Sequence, residues 1–349
     1  MGKKLNKRTP PQSPVQSMQM DLFTRFLTND QSQVSNTVEI WESIPKYFFT
    51  ARQVEKLRAA DGSAKPYRWS FTYNGQPCMV RVQPAYIDEE GGASRAYFPS
   101  VTEELVEEAL KKILTMQNMG MHDVEKSETW VRFTLRMIQR ELKARNKSRS
   151  IAQIKHAIDV MSSCVLTVLV NDKEVWRGAI LQDLVTVDRS DYLADIEAHH
   201  VARLPLFITN AINKLEYRQF NYDRLMGCKE QLSRWIYKRL INRYKQASVR
   251  DGYHFMYSDL LHSGLLQQAS DDKNRSKVRS ALNELEKCHV VLSWREEVVK
   301  DGKKIVDAKY VVTAHPDFTR EQKASNKRQS DDRLTARKQG VLSAVDKPS

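Results

Sequence analysis

The segment at residues 67–82 alternates apolar and polar side chains, and this period of two predicts a pair of β-strands. An Asn-Gly pair at residues 74–75 is typical of the tight turn that joins two antiparallel strands. The aromatic residues of the first strand would share one face, which predicts that another element covers the sheet; they are Tyr67, Trp69, Phe71 and Tyr73.

After residue 100 the apolar positions recur at helical spacing, with Leu105, Ala109 and Ile113 on one face. Ser100 followed by Glu103 has the pattern of a capping box, so a helix is predicted to begin there.

The same two periodicities predict the other elements of both halves. The first half continues with helices over residues 127–145 and 150–163 and strands over 165–170, 174–187 and 198–204. The second half has helices over 222–246, 258–264 and 272–287, then strands over 290–299 and 305–313. Asp271 is the predicted cap of the third of these helices, and Asp301-Gly302 the turn between the strands.

An internal repeat agrees with this order. When Cys164 is set over Cys288, an offset of 124 residues, both segments read Ala-[Ile/Leu]-x-x-[Met/Leu]-x-x-Cys before a strand, a turn and a strand. Three helices and a hairpin form a winged-helix domain, in which the third helix enters the DNA major groove. We therefore predict an α+β fold of two tandem winged-helix domains, with a flexible arm at 1–35, domain one at 36–217, domain two at 218–318 and a disordered basic tail at 319–349.

The charge is concentrated in the second predicted domain. The formal net charge is +13, which favours a polyanionic partner. Residues 218–320 hold 20 Lys and Arg against 13 Asp and Glu, whereas residues 101–217 hold 16 against 17. The four cysteines are widely spaced and show no zinc-binding pattern, and no apolar run reaches membrane-spanning length. A cytoplasmic protein with reduced thiols, without a metal, a cofactor or a membrane partner, is expected.

The third helix of domain two is the predicted DNA-reading element. Its apolar stripe contains Val278, Ala281, Leu282 and Leu285, and cations and small polar residues occupy the rest of the surface. Arg can pair with guanine and Asn with adenine in the major groove. A solvated basic helix face is the alternative interpretation. The predicted DNA-binding residues of domain two are Lys273, Asn274, Arg275, Ser276, Lys277, Arg279, Ser280, Asn283, Arg295 and, at the hairpin turn, Lys303 and Lys304.

The first domain carries fewer candidate DNA contacts. Arg145, Lys147 and Arg149 precede its third helix and are predicted to contact the DNA backbone at most. The alternative is that this domain forms a dimer contact, because an open hairpin edge can pair with a second copy of itself.

A short apolar peptide interrupts the polar N-terminal arm. Gln19, Met20, Asp21, Leu22 and Phe23 resemble the bacterial sliding-clamp-binding motif Gln-Leu-[Ser/Asp]-Leu-Phe, with Met20 in place of leucine. A flexible peptide of this kind places its Leu-Phe pair in an apolar pocket. The alternative is the start of a short helix that packs on domain one.

Together with the segment Phe49-Thr50-Ala51-Arg52, these features resemble the iteron-binding replication initiators of bacterial plasmids, above all those of broad-host-range plasmids. The resemblance covers roughly residues 18–315. It implies binding to directly repeated origin sequences in double-stranded DNA, opening of a neighbouring AT-rich element, and recruitment of the host helicase, initiator and sliding clamp. It also implies a monomer–dimer switch through domain one.

Three other classes are weighed against this one. A winged-helix transcriptional repressor needs the same reading helix but no clamp-binding peptide. An enzyme is not expected, because the chain has no Gly-x4-Gly-Lys-[Ser/Thr] loop and His199-His200 lacks the spacer of a nicking enzyme's His-hydrophobe-His motif. An RNA-binding or structural protein is the third alternative, and no aromatic RNP motif supports it.

Overall fold

A computed structural model of the chain describes residues 33–89, 92–116, 119–123, 126–186 and 199–338. The predicted arm lies outside this part except for its last three residues, and the clamp-type peptide at residues 19–23 lies outside it entirely. In the described ranges no helix is both long and apolar enough to cross a lipid bilayer.

The described residues form eleven helices and fifteen strands. The first half contains β1 (Val34–Val38), α1 (Glu39–Ser43), α2 (Ala51–Leu57), β2 (Tyr67–Tyr73), β3 (Gln76–Gln83), β4 (Ala85–Asp88), β5 (Ser94–Tyr97), α3 (Val101–Leu114), β6 (Gly120–Asp123), β7 (Glu128–Phe133), α4 (Leu135–Lys143), α5 (Ile151–Ser163), β8 (Val165–Val170), β9 (Lys173–Ala179), β10 (Gln182–Thr186), β11 (His200–Arg203) and α6 (Leu206–Asn213). The second half contains β12 (Tyr217–Asn221), α7 (Tyr222–Gly227), α8 (Gln231–Arg243), β13 (Tyr253–Met256), α9 (Tyr257–Leu261), α10 (Asp271–Lys287), β14 (Val291–Asp301), β15 (Lys304–Ala314) and α11 (Pro316–Lys338).

The predicted aromatic hairpin is confirmed as β2 and β3, which join β8 and β9 in a sheet of order β2-β3-β8-β9. Its turn residues Asn74 and Gly75 take positive φ angles of 49° and 75°. This is the turn geometry that matches the twist of two antiparallel strands. Phe71 is buried and the other three aromatic residues of β2 are partly buried, so the sheet is covered as predicted.

The hairpin of the second half is confirmed as β14 and β15, and β13 pairs with the other side of β15. In the first half the hairpin β8–β9 is instead extended by β3, and the strands β6 and β7 join a separate sheet of order β10-β11-β7-β6. In each half a helix leads directly into a hairpin, α5 into β8–β9 and α10 into β14–β15, while the sheet around each hairpin differs.

The prediction of a helix over residues 127–145 is wrong for its first third, where the chain forms the strand β7. Thr129, Val131 and Phe133 are buried and alternate with more exposed residues, which is a strand period and not a helical one. Thr134 then caps α4, since its side chain accepts the backbone N–H of Met137 at 3.1 Å.

The single helix predicted over residues 222–246 is also wrong, because the chain breaks between α7 and α8. The carboxylate of Glu284, on α10, accepts the backbone N–H groups of Lys229 and Glu230 at 2.7 and 3.0 Å. A residue 54 positions later in the sequence therefore stabilises the start of α8, and the local pattern of apolar residues does not reveal this contact.

One predicted helix cap moves by one residue, and the helix predicted over residues 258–264 begins one residue earlier. Ser270, and not Asp271, caps α10, because its hydroxyl accepts the backbone N–H of Lys273. The short helix α9 begins at Tyr257, and the hydroxyl of Ser258 donates to Asp307 at 2.8 Å. Both serine hydroxyls therefore bind neighbouring groups, as such side chains do at helix starts.

The prediction of a disordered tail from residue 319 is wrong as far as Lys338, because this segment forms the helix α11. Its first turn is anchored by the buried ring of Phe318. Gln322 and Asn326, one turn apart, each accept a hydrogen bond at 2.7 Å from the buried guanidinium of Arg218 on β12. The side of α11 that packs on the protein is thus largely polar, and a search for apolar periodicity does not detect it.

The helix α3 lies between the two halves and is buried on nearly all sides. Its predicted apolar face is buried as expected, but so are its carboxylates. Arg234 of α8 binds Glu104 through two parallel hydrogen bonds of 3.0 and 2.7 Å, and Lys238 pairs with Glu108. We call these four residues the charged interface, and it fixes the second half against the first.

Candidate nucleic-acid interface

The helix α10 has the two-sided character that the sequence predicts. Its stripe of Val278, Ala281, Leu282 and Leu285 is completely buried. Seven side chains of the remaining surface are exposed: Asp271, Asp272, Lys273, Ser276, Ser280, Asn283 and Lys287. The helix therefore packs on one side only and presents a polar face to solvent.

The predicted base contacts of Asn274 and Arg275 are wrong for this conformation, because both side chains are buried, with 5% and 7% of their surface exposed. The amide oxygen of Asn274 accepts the backbone N–H of Gln268 at 2.9 Å and so fixes the loop before the helix. Arg275 lies 3.5 Å from Asp272, one turn earlier. Both residues therefore support the start of the helix and do not extend into solvent.

Lys277 and Arg279 are only partly exposed, and each has a partner within the protein. The ammonium of Lys277 donates to the carbonyl of Leu265 at 2.8 Å, and burial lowers the pKa of Lys277 from its ordinary value. Arg279 lies 2.8 Å from Glu296 on β14 and 3.8 Å from Asp272. Arg279 keeps 37% of its side-chain surface exposed, so it can exchange these partners for an outside anion.

Two of the exposed side chains connect α10 to its neighbours. Ser280 donates to Glu230 at 2.6 Å, and the amide oxygen of Asn283 accepts the indole N–H of Trp294 on β14 at 3.1 Å. Because Asn283 and Arg279 both contact β14, this strand runs along the helix. The exposed face of α10 and the hairpin therefore form one continuous surface.

The hairpin tip carries a group of exposed lysines. Lys300, Lys303 and Lys304 are exposed around Gly302, whose φ of +58° makes the tight turn. In the described part of the chain their ammonium groups have no ion-pair partner. Arg295, further down β14, is exposed but lies 2.8 Å from Glu297. The tip therefore concentrates three exposed positive charges at one end of this surface.

The basic residues predicted for domain one bind other parts of the protein. Arg145 pairs with Glu141 at 2.7 Å and with Asp223 at 2.8 Å. The ammonium of Lys147 donates to the carbonyl of Cys228 at 2.8 Å. The predicted DNA-backbone contact of Arg145 and Lys147 is therefore wrong for this conformation, in which both link the first half to the second. Arg145 and Lys147 thus contact the region of α7 and the α7–α8 break, and the sequence alone does not reveal this contact.

Arg149 is partly exposed and lies beside the start of α3. It donates to the hydroxyl of Thr102 at 3.3 Å and to the carbonyl of Ser148 at 2.9 Å. Both acceptors are uncharged, so the guanidinium keeps its positive charge without a carboxylate partner in these contacts. The predicted backbone contact of Arg149 stays a prediction.

A second basic surface, absent from the sequence prediction, lies on α4. Its outer face lines a shallow groove of about 400 Å³ formed by Arg136, Gln139, Arg140 and Lys143. Arg136 and Arg140 are exposed one turn apart, and Lys143 is exposed near the end of the helix. The spacing 136, 140, 143 is helical and readable in the sequence, but it belongs to the second helix of the predicted unit and not to the third.

One group of potential metal ligands also appears only in the structure. His289, His315 and Asp317 bring one ligand atom each within 4.8 Å of one another. The Asp317 carboxylate already pairs with Arg320, and its backbone N–H donates to Nδ1 of His315 at 3.2 Å. The rings of His289 and His315 stack with centroids 4.7 Å apart, so the group links the segment after α10 to the start of α11.

The segment that carries part of the family resemblance lies in the core of the first half. Phe49 packs against Tyr67 and Phe98 at ring distances of 4.9 and 4.6 Å. Thr50 caps α2, with Gln53 completing a capping box. The Phe-Thr pair thus has a structural role, in which it ties α2 to the aromatic hairpin.

No protein-family model and no curated protein matches the chain. Solved structures do resemble it: domains 2 and 3 of RctB align with 75% of this chain and 95% of theirs at 12% identity, with a TM-score of 0.44. The Pi initiator protein in complex with iteron DNA aligns with 62% of this chain and 95% of its own at 12% identity, with a TM-score of 0.40. The second of these neighbours is thus an initiator protein bound to iteron DNA.

Proposed function

We propose that this chain is a sequence-specific DNA-binding protein that binds repeated origin sequences and starts replication of a plasmid or a similar replicon. The observation that carries the proposal is the surface formed by α10 and the β14–β15 hairpin. It presents Lys273, Ser276 and Lys287 on the helix beside an exposed lysine cluster at the hairpin tip. We interpret the two repeats as winged-helix domains, with α10 as the helix that enters the major groove.

The reading contacts are assigned to the exposed part of α10. Ser276, Ser280 and Asn283 follow one another at helical spacing and can donate to or accept from base edges. Arg279 is the candidate for a guanine contact, because it can leave Glu296 when a stronger acceptor arrives. Asn274 and Arg275 instead hold the start of the helix in place.

The phosphate contacts are assigned to the lysines and to a second surface. Lys273, Lys303 and Lys304 would neutralise the DNA backbone around the reading helix. The α4 groove, with Arg136, Arg140 and Lys143, would provide a further backbone contact from the first half. Such a role needs neither a cofactor nor catalytic chemistry, so the protein acts by binding.

The steps beyond origin binding rest on the sequence resemblance. Recruitment of the host sliding clamp is assigned to Gln19, Met20, Asp21, Leu22 and Phe23, and contacts with the host helicase and initiator would follow at the origin. A dimer through the first domain and a cytoplasmic location complete the proposal.

A footprint on the plasmid's own origin region tests the proposal. We expect protection of directly repeated sequences by the wild-type protein, and loss of that pattern in a Lys273→Ala, Ser276→Ala double variant. Lys323→Ala, which removes an exposed lysine from α11, is the matched control and should leave the footprint unchanged. Equal protection of repeated and random DNA by the wild type would refute sequence-specific origin binding.

A replication assay separates an initiator from a repressor. The double variant Leu22→Ala, Phe23→Ala should keep the footprint but lose plasmid replication, because the apolar anchors for the clamp are gone. If this variant still replicates the plasmid at the wild-type level, recruitment of the clamp through this peptide is excluded.

A further inference from the structure

Two of the four cysteines, 60 residues apart in the sequence, meet in the second half of the molecule. The sulfur atoms of Cys228 and Cys288 lie 3.6 Å apart, and both thiols are free. Cys228 follows the last residue of α7, and Cys288 follows the last residue of α10. The other two, Cys78 and Cys164, are buried in the first half.

The pair lies where three parts of the protein are joined. One turn before Cys288, Glu284 binds the backbone N–H groups at the start of α8. The carbonyl oxygen of Cys228 accepts hydrogen bonds from Lys147 of the first half at 2.8 Å and from Arg234 of the charged interface at 3.1 Å. A change at this pair therefore reaches the end of α10 and two contacts between the halves.

The two thiols are not equivalent. Cys228 is fully buried, whereas Cys288 is partly exposed. The hydrogen bond from the Cys228 thiol lowers the pKa of Cys288, and the nearby charges of Arg224 and Lys147 act in the same direction. That hydrogen bond and burial raise the pKa of Cys228. Cys288 is thus the thiol that an outside reagent meets first, and it is also the one that more readily forms the reactive thiolate.

We propose that Cys228 and Cys288 form a redox-modification site, at which a peroxide oxidises the two thiols to an intramolecular disulfide. The Cys288 thiolate attacks one oxygen of hydrogen peroxide and becomes a sulfenic acid, and the other oxygen leaves as water after taking up a proton. The Cys228 thiol then attacks the Cys288 sulfur, the S–S bond forms, and a second water leaves. Two thiols and one peroxide give one disulfide and two waters.

Bond formation has a mechanical consequence. The sulfur atoms must approach from 3.6 Å to about 2 Å, so the end of α10 and the α7–α8 break move towards each other. If α10 reads DNA, which rests on the proposed function, this movement alters the reading surface. We expect oxidation to weaken binding to the origin repeats on the order of tenfold.

Thiol counting and peptide mass spectrometry on the full-length protein test the site. After treatment with hydrogen peroxide, the wild type should lose two titratable thiols and yield a peptide that links Cys228 to Cys288. A Cys78→Ser, Cys164→Ser variant should give the same linked peptide, whereas Cys228→Ser and Cys288→Ser should not form an intramolecular disulfide. Retention of four free thiols by the wild type, or linkage of any other pair, overturns the proposal.

Phenylarsine oxide gives a test that needs no substitution. This reagent bridges two thiols that lie close together, so one equivalent should bind the reduced wild type and protect both cysteines from alkylation. Alkylation of all four cysteines in its presence would contradict the pairing.

The effect of the disulfide on DNA-binding affinity is measured separately. The origin affinity of the reduced, oxidised and re-reduced protein is compared, and the loss should be reversed by dithiothreitol. Full affinity of the disulfide form overturns the link between the site and the reading helix. If the reduced protein binds no DNA, the proposed function fails, and the thiol count alone still decides the redox site.

Discussion

At the scale of single residues, exposure divides the basic positions of α10 into two kinds. Lys273 and Lys287 are exposed and Arg279 is partly exposed beside two carboxylates, whereas Arg275 is buried. These residues have similar chemistry and lie within one helix, so only their surroundings decide which of them can meet DNA.

Arg279 and Arg275 are therefore expected to respond differently to the same substitution. Arg279→Ala should relax the preference for the cognate repeat by about 1–3 kcal/mol, because a bidentate guanine contact is lost. Arg275→Ala should leave the preference intact and lower the free energy of unfolding by about 1–2 kcal/mol, because a packed side chain is removed. Binding to cognate and random DNA, together with urea unfolding, measures both; equal losses on the two DNAs for Arg279→Ala would contradict a reading role.

A buried histidine predicts how stability depends on pH. His122 hydrogen-bonds to Thr129 at 2.9 Å and to Asn213 at 2.8 Å, and burial lowers its pKa below the ordinary value of 6.5. The folded state therefore favours the neutral ring. Below about pH 6.5 the unfolded chain takes up the proton first, so the stability that is present at neutral pH falls as the pH drops towards the folded pKa.

Urea unfolding between pH 7.5 and pH 5 checks this expectation. The wild type should lose stability over that range, and His122→Gln should lose less of it. His254→Gln, at an exposed position of β13, is the control and should follow the wild type. An identical pH profile for His122→Gln and the wild type would mean that His122 does not contribute.

At the scale of elements, the hairpin tip and α4 are expected to bind phosphate without reading bases. Lys303→Ala, Lys304→Ala should weaken binding to all sequences alike and reduce the salt dependence by about 0.9 per lost phosphate contact. Arg136→Ala, Arg140→Ala should act in the same way if α4 also meets the backbone. Binding isotherms at several salt concentrations give the slope; a wild-type slope in either variant would remove that element from the interface.

At the scale of the whole molecule, the charged interface determines how the two halves are joined. Glu104 and Arg234 are both buried, with 8% and 1% of their side-chain surface exposed. Removing one partner leaves the other charge without compensation in a poorly hydrated site. Removing one partner should therefore lower the free energy of unfolding strongly, whereas replacing both partners with apolar residues should lower it much less.

A double-mutant cycle measures this coupling. Glu104→Leu and Arg234→Met should each reduce the free energy of unfolding by about 3–5 kcal/mol, while the double variant that combines the two should lose much less than their sum. Urea unfolding at pH 7 gives the three values. Strict additivity of the single and double variants would show that the pair is not coupled.

Much of the local structure was predictable from the sequence because neighbouring residues determine it. The Asn74-Gly75 turn, the capping box of Ser100 and the apolar stripe of α10 all follow from residues a few positions apart. The basic excess of the second half was readable because it is a property of composition and needs no tertiary contact.

What the sequence left open depends on contacts between distant segments. The break between α7 and α8 is capped by Glu284, the tail becomes a helix on Arg218, and the charged face of α3 is buried by α8. Only the tertiary structure buries Asn274 and Arg275, assigns Arg145 and Lys147 to the junction of the halves, and brings Cys228 to Cys288. The physical reason is that the sequence fixes the charge and polarity of a side chain, whereas its partners and its access to solvent depend on elements brought together from distant parts of the chain.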